Sequence, residues 1–337
     1  WPESYFISPA KFISNGLDVF ILNFGTQIDY LKQVAFFFIM LPVKIGLQLS
    51  VSPYTWGFEL TPFLITAYFI IMILFASWCF FKFSKDVAVG VVLFSIFIYF
   101  GLTNMPWLPL ILIYGLIGFK IGGLKLSLTI VASFLFITFT GVLPQALLSI
   151  YLCGIAVIIS FILGSSLGIW AAHNDKVSAF MRPINDTMQT MPSFVILIPF
   201  VMFFGIGEFT ALLAIIAYAF VPAMRYTEHG LRNLPETVIE AARMIGCSQT
   251  QLLWKVKIPL AMPVIMLGLN QTIMFGLAML VIAALVGTTG LGQLIYIGLS
   301  KADFGTGMIS GVSIALIAII FDRTTQAWRI KLEKKTQ

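Results

Sequence analysis

From residue 147 to residue 172 the chain carries no Asp, Glu, Lys or Arg, and this is one of several long apolar runs in it. The hydrocarbon core of a bilayer is roughly 30 Å thick and each helical residue advances about 1.5 Å, so about 20 apolar residues make one crossing. A soluble globule has no interior large enough to hide so many such runs. Only 10% of the 337 residues are charged, against about 25% in an ordinary soluble domain, and the mean hydropathy is +0.99. The sequence therefore predicts an all-α, polytopic membrane protein whose backbone groups are satisfied within its own helices.

Crossings are predicted over 60–81, 87–102, 106–119, 126–143, 147–172, 193–204, 209–224, 264–286 and 306–321, about nine in all. Runs 106–119 and 193–204 are too short to cross upright as drawn, which allows a partly re-entrant path if protein shields the backbone. Residues 1–59 are mixed, with Phe36-Phe37-Phe38-Ile39-Met40-Leu41 cut short by Pro42 and Lys44. That length fits an amphipathic, interfacial segment better than a crossing. The expected organisation is an N-terminal segment over 1–59, extra spans over 60–143, a core over 147–322 with a long loop over 225–263, and a basic tail over 323–337.

The net charge of +6 invites a nucleic-acid reading, but the basic residues sit at the ends of apolar runs instead of forming one patch. Membrane lipid is the partner this distribution implies, and nucleic acid is excluded. Arg323, Arg329, Lys331, Lys334 and Lys335 place the C-terminus in the cytoplasm by the positive-inside rule. Counting back, the segments with Arg225 to Lys257, Lys176 and Arg182, Lys120 and Lys125, and Lys82 and Lys85 fall on the same side. An odd number of crossings then puts the N-terminal segment outside. Glu208 and Asp303 read as isolated external carboxylates in solvated turns. The start, Trp1-Pro2-Glu3, lacks a basic region followed by a short apolar core, so no cleavable signal is expected there.

Several residue types that advertise chemistry elsewhere are bland in this setting. Cys79, Cys153 and Cys247 are scattered singly, and His173 and His229 lie in separate polar stretches, so no metal site is predicted. Gly154, Gly164, Gly168, Gly276, Gly287 and Gly298 are explained by close helix packing in a membrane. Polar groups in apolar surroundings, Met188-Gln189-Thr190 and Asn270-Gln271, are candidates for a translocation path, with hydrogen bonds between helices as the competing explanation.

The 225–263 interruption carries the functional signal. Pro235, Glu236 and Thr237 open a helix, with the acidic residue at its positive end, and it runs to about Ile245. Gly246 stands where a helix end needs a left-handed residue, and Ser248 caps a second helix continuing to Lys257. Glu240-Ala241-Ala242, three residues, Gly246, nine residues, then Val256, Ile258 and Pro259 resembles the coupling loop of permease subunits of bacterial ABC importers. Glu-Ala-Ala alone is common in helices; its spacing and its place between two late spans make the resemblance specific. The resemblance extends to glycine betaine and proline betaine permeases through Gly168 to Ala172, Arg182-Pro183, Met188 to Phe194, Phe204 to Gly207, Pro259 to Pro263, Asn270 to Thr272, Gly290 to Gln293 and Ile320 to Arg323. It covers 147–329.

The resemblance implies a type I ABC importer permease core in the bacterial inner membrane. The partners it implies are a second copy of the permease, an ABC ATPase subunit and an external substrate-binding protein. It implies that Glu240 makes a polar contact with the ATPase, that Ala241 and Ala242 permit close packing, and that Gly246 forms the turn. The chain has no GxxxxGK[ST] phosphate loop, so it is not itself an enzyme of that kind and holds no cofactor; ATP and Mg²⁺ belong to the partner. The alternative is an ion-gradient-driven carrier of a small zwitterion, which would keep ionisable groups inside its spans and show inverted repeats. A membrane-embedded enzyme would need paired His, Asp or Glu near the surface.

Overall fold

A computed structural model describes residues 9–44, 62–82, 92 and 107–336. The predicted crossing over 87–102 apart from residue 92, Lys85 and all of 45–59 lie outside the described residues. The elements are α1 (Pro9–Ala35), which continues through a π-helical turn (Phe36–Met40) to Lys44; α2 (Pro62–Lys82); α3 (Trp107–Phe139); α4 (Leu143–His173); α5 (Asp175–Thr190); and α6 (Ser193–Phe204). Then come α7 (Glu208–Arg232), α8 (Glu236–Met244), α9 (Gln249–Val286), α10 (Leu291–Ser300) and α11 (Phe304–Thr336). No strand occurs among the described residues. Among the described residues five helices are long and apolar enough to cross a membrane, and α5 with α6 forms a sixth candidate bent by 103°.

One of those five, α3, is folded back on itself. A straight helix of its length would hold its ends nearly 50 Å apart, yet the Trp107 and Phe139 rings lie 6.5 Å apart and Tyr114 stacks on Phe134 at 5.2 Å. Ser127 Oγ donates to the Gly115 carbonyl at 2.8 Å. The reversal falls at Gly123, whose φ of +76° only glycine adopts at little cost. The runs predicted over 106–119 and 126–143, with basic residues at the break, are thus the two arms of a hairpin.

The core is three helices held very close. On α4, a Cβ at Gly164 would stand 2.5 Å from the Phe220 carbonyl oxygen of α7, and one at Gly168 would stand 2.6 Å from that of Met224. Two glycines one turn apart let the helix backbones approach, the usual membrane solution where burial of apolar area gives no drive. On α9, Gly268 meets Tyr226 and Gly276 meets Val157 and Cys153 in the same manner. Gly154, also expected to pack, has nothing within 4 Å of its would-be Cβ.

Three stretches left as polar connections are helical. Within 173–190, His173 ends α4 and Asp175–Thr190 form α5, opened by Asn174, whose side chain accepts from the Lys176 N–H. Residues 225–232 prolong α7 by two turns, because Arg225, Glu228 and Arg232 find partners on α5. Residues 291–300 form α10, whose buried first N–H is satisfied by Ser149 Oγ of α4 at 2.8 Å and whose Gly298 packs on Gly307 of α11.

The two ends of the bundle differ. Toward the 233–248 loop, Lys331 donates to the carbonyl of Lys120 at the α3 reversal, and Lys257 stands 3.5 Å from His173. At the opposite end the predicted solvated Glu208 is instead largely buried, its side chain 15% exposed. Glu208 Oε1 accepts from Lys44 Nζ at 2.5 Å and from Thr289 Oγ1 at 3.0 Å, which pins the N-terminal segment to the core. The sequence hid this because the partner lies 164 residues away. Asp303 is exposed, as predicted, and caps α11; hydrogen bonds from the Thr306 hydroxyl and N–H hold its carboxyl below the usual range.

Candidate functional site

Between α7 and α9 the chain builds a knob. Asn233 closes α7 by donating from its backbone to the His229 carbonyl at 3.1 Å, and Pro235 turns the chain into α8. The end of α8 is a double hydrogen-bonded reversal: Cys247 N–H reaches back to the Ala242 carbonyl at 3.2 Å and Gly246 N–H to the Arg243 carbonyl at 2.9 Å. That pattern requires a left-handed residue at Gly246, whose φ is +88°. Ser248 and Gln251 then cap the next helix reciprocally, Gln251 N–H to Ser248 Oγ at 3.3 Å and Ser248 N–H to Gln251 Oε1 at 2.9 Å.

The second helix of the knob does not stop at Lys257. It passes through a π turn (Leu252–Lys257) straight into the apolar part of α9. Pro259 lacks an N–H and its ring crowds the carbonyl four residues back; the widened turn just before it removes that clash and keeps the helix unbroken. Ile258 packs beside the small cluster of Leu231, Ala261 and Ile265, which fastens the knob to the ends of α7 and α9.

The two faces of α8 are unlike. Ala242 is buried, on the side where α8 packs against the π turn, whose Leu252 is also buried. Glu240 and Ala241 are exposed. So are Met244 and Ile245 at the tip, 90% and 84% exposed. Sequence reasoning passed over this pair, although two large apolar residues beside a turn glycine in a polar loop were visible as a signal.

Beside the knob, α5 is clasped to the end of α7. Arg225 pairs with Asp186; Arg232 contacts Asp175 at 2.8 Å, Glu228 at 3.0 Å and the Ala171 carbonyl at 2.7 Å; and Ser178 Oγ donates to Glu228 Oε1 at 2.6 Å. A cleft of about 410 Å³ opens between the two helices.

The proposed path residues divide between two places. Met188 is half-buried and Gln189 and Thr190 are exposed in the last turn of α5, with Thr190 Oγ1 bonded to the Asp186 carbonyl. Asn270 is buried on α9, donating to Asp322 Oδ1 at 2.9 Å and accepting from Thr325 Oγ1 at 2.7 Å, while Gln271 is half-buried. No hydrogen bond joins the two groups among the described residues. Asp322, read as lying just past the last span, is inside α11, where Gln326 also donates to both its oxygens at 2.8 Å.

Residues 164–329 match the family described as binding-protein-dependent transport system inner membrane component. The glycine betaine transport system permease protein OpuAB of Bacillus subtilis (strain 168) is 36% identical over 255 residues, 76% of this chain and 90% of that relative. The chain belongs to this family. As a binding-protein-dependent transport component it is a multi-pass inner-membrane permease subunit, and the region matched by the family begins within α4, after α1, α2 and α3.

Other relatives are longer than the stretch they share. The glycine betaine/proline betaine transport system permease protein ProW of Escherichia coli (strain K12) is 40% identical over 226 residues, 67% of this chain and 64% of ProW. The trimethylamine N-oxide transport system permease protein TmoV of Pelagibacter ubique (strain HTCC1062) is 42% identical over 226 residues, 67% of this chain and 31% of TmoV. The chain thus spans under two thirds of the length of these two relatives. Its fold resembles a chain from an inward-facing crystal structure of the MetNI methionine ABC transporter, with a TM-score of 0.50 and 20% identity over 55% of this chain and 93% of that one.

Proposed function

We propose that this chain is the permease of an ATP-driven importer for methylated-amine osmolytes of the glycine betaine and proline betaine class. Two copies work with two ATPase subunits, which hold the ATP and Mg²⁺, and with a substrate-binding protein on the outer side. The observation that carries the reading is the knob, in which Gly246 reverses the chain and leaves Met244 and Ile245 almost bare. Fully burying such side chains is worth about 1.5–3 kcal/mol each, and a groove on an ATPase subunit supplies that burial. The names of the relatives support the cargo class.

In this mechanism ATP binding closes the ATPases and draws the two knobs together through Glu240, Ala241, Met244 and Ile245. The spans tip from inward-facing to outward-facing, and the binding protein releases its solute into the opened path. The knob lies in the cytoplasm with the C-terminus, and the N-terminal segment lies outside. The meeting of Lys44 with Glu208 at the end of the bundle away from the knob supports that orientation.

The test is a series at Gly246. No atom lies within 4 Å of the position of a Cβ there, so the free chain has room for a side chain and only the backbone resists it. A left-handed residue costs about 1–2 kcal/mol for ordinary side chains and less for Asn. Gly246→Val leaves membrane insertion intact and abolishes uptake and ATPase stimulation, while Gly246→Asn keeps part of both. Uptake by Gly246→Val at the wild-type rate overturns the coupling assignment.

A further inference from the structure

Lys331, near the end of α11, donates to the Lys120 carbonyl at 2.9 Å, and a Cβ on Gly122 would stand 3.2 Å from that of Ala327. The reversal of α3 is thereby seated on α11. Arg323, Ala327 and Lys331 follow one another at intervals of four residues and so share one face of α11. Lys120 and Lys125 flank the reversal at Gly123. Four cations from two helices gather at this one junction.

Among the described residues no carboxylate answers them. All four side chains are exposed and none is in an ion pair. Asp322, the neighbour of Arg323, has both oxygens engaged by Gln326 and one of them also by Asn270. Like charges held this close repel one another, and an anion among them removes that repulsion.

The surroundings say which kind of anion. Phe119 precedes Lys120, Leu124 precedes Lys125, and Trp328 lies between Arg323 and Lys331; all three are exposed. Leu116 and Leu128, one turn further from the junction along each arm of α3, are exposed too. A phosphate from solution would satisfy the cations and leave these side chains bare. A molecule with an anionic head and acyl chains covers both, and a bilayer gathers aromatic rings and basic side chains at this same depth.

We propose that the junction of the α3 reversal with α11 is a binding site for an anionic phospholipid in the leaflet on the side of the knob. The headgroup phosphate lies among Lys120, Lys125, Arg323 and Lys331, the lysines acting as point charges and the arginine fork engaging two oxygens. The acyl chains run along Leu116, Phe119, Leu124 and Leu128. The region matched by the family begins only within α4, so the lipid helps to fasten a hairpin that precedes that region to the last helix of the core.

The test titrates the purified full-length chain in uncharged detergent with phosphatidylglycerol, phosphatidylcholine or soluble glycerol 3-phosphate, and counts bound molecules by native mass spectrometry. The first phosphatidylglycerol binds roughly tenfold or more tightly than phosphatidylcholine, and glycerol 3-phosphate does not compete with it. Lys120→Gln, which leaves in place the carbonyl that Lys331 uses, weakens phosphatidylglycerol about fivefold, the weight of one cation beside an anionic bilayer. Lys120→Gln with Lys331→Gln weakens it about twentyfold. Lys176→Gln with Lys255→Gln removes the same charge from exposed positions elsewhere at that end of the bundle and changes nothing. Equal affinity for the two lipids overturns the site, as does an equal loss in the two double variants. Competition by glycerol 3-phosphate at the lipid's own affinity makes it a site for a soluble anion. Unchanged lipid affinity with lost binding of the proposed ATPase in Lys120→Gln with Lys331→Gln makes it a protein contact, and either result also overturns the proposal.

Discussion

Adding one methyl group at Gly164 tests how tightly the core is built. The new Cβ of Gly164→Ala would stand 2.5 Å from the Phe220 carbonyl oxygen, 2.7 Å from the Ala223 Cβ and 3.0 Å from the Met224 nitrogen. Two of these neighbours are backbone and the third is a Cβ, so none can rotate away. To reach ordinary contact α4 and α7 must separate by roughly 1 Å, and overpacking of this kind costs about 1–3 kcal/mol. Gly168→Ala meets the Met224 carbonyl oxygen at 2.6 Å and the Thr227 Cβ at 2.8 Å and behaves alike. Once one methyl has parted the helices the second has less left to do, so the double variant loses less than the sum. Gly154→Ala, on the same helix with nothing within 4 Å, is the control; it gains about 1 kcal/mol of helix propensity and meets no clash. The assay is the unfolding midpoint of the purified chain in an SDS titration. If Gly164→Ala and Gly154→Ala move that midpoint in the same direction, backbone proximity is not what holds these helices.

Two further outcomes follow from buried polar contacts. Asn270→Leu removes the link from α9 to both Asp322 and Thr325 and lowers the same midpoint by about 1–3 kcal/mol, with Thr325→Val giving a smaller, non-additive loss. Lys44→Met leaves Glu208 without its cation and loosens the N-terminal segment, read as faster proteolysis within α1; Lys44→Met with Glu208→Gln recovers part of the protection, because no lone buried charge remains.

Features set by neighbours in the chain were legible. The reversal at Gly246, the Ser248 cap and the arms of α3 on either side of Lys120 and Lys125 follow from residues within a turn or two. Features set by distant partners were not. Arg225, Glu228 and Arg232 look like the start of a loop until α5 supplies Asp186, Ser178 and Asp175, and only then is it favourable for α7 to run on. Glu208 reads as solvated for want of Lys44, and Asp322 as a flank for want of Asn270. At the candidate site the turn was readable because one backbone angle demands glycine, whereas the exposure of Met244 and Ile245 is a property of the assembled knob.

The unbroken course of α9 has a mechanical meaning. At about 1.5 Å per residue its 38 residues make a strut of roughly 57 Å, with the knob's cap at one tip and, just past the other, the turn whose Thr289 touches Glu208. Under the coupling proposed above, a push delivered at the ATPase side would reach the far mouth as the tilt of one continuous helix, with no relay of side chains between them. The widened turn over Leu252–Lys257 is where such a lever would first give, which makes the few residues before Pro259 the natural place to look for variants whose complex with the proposed ATPase binds nucleotide normally and still fails to pump.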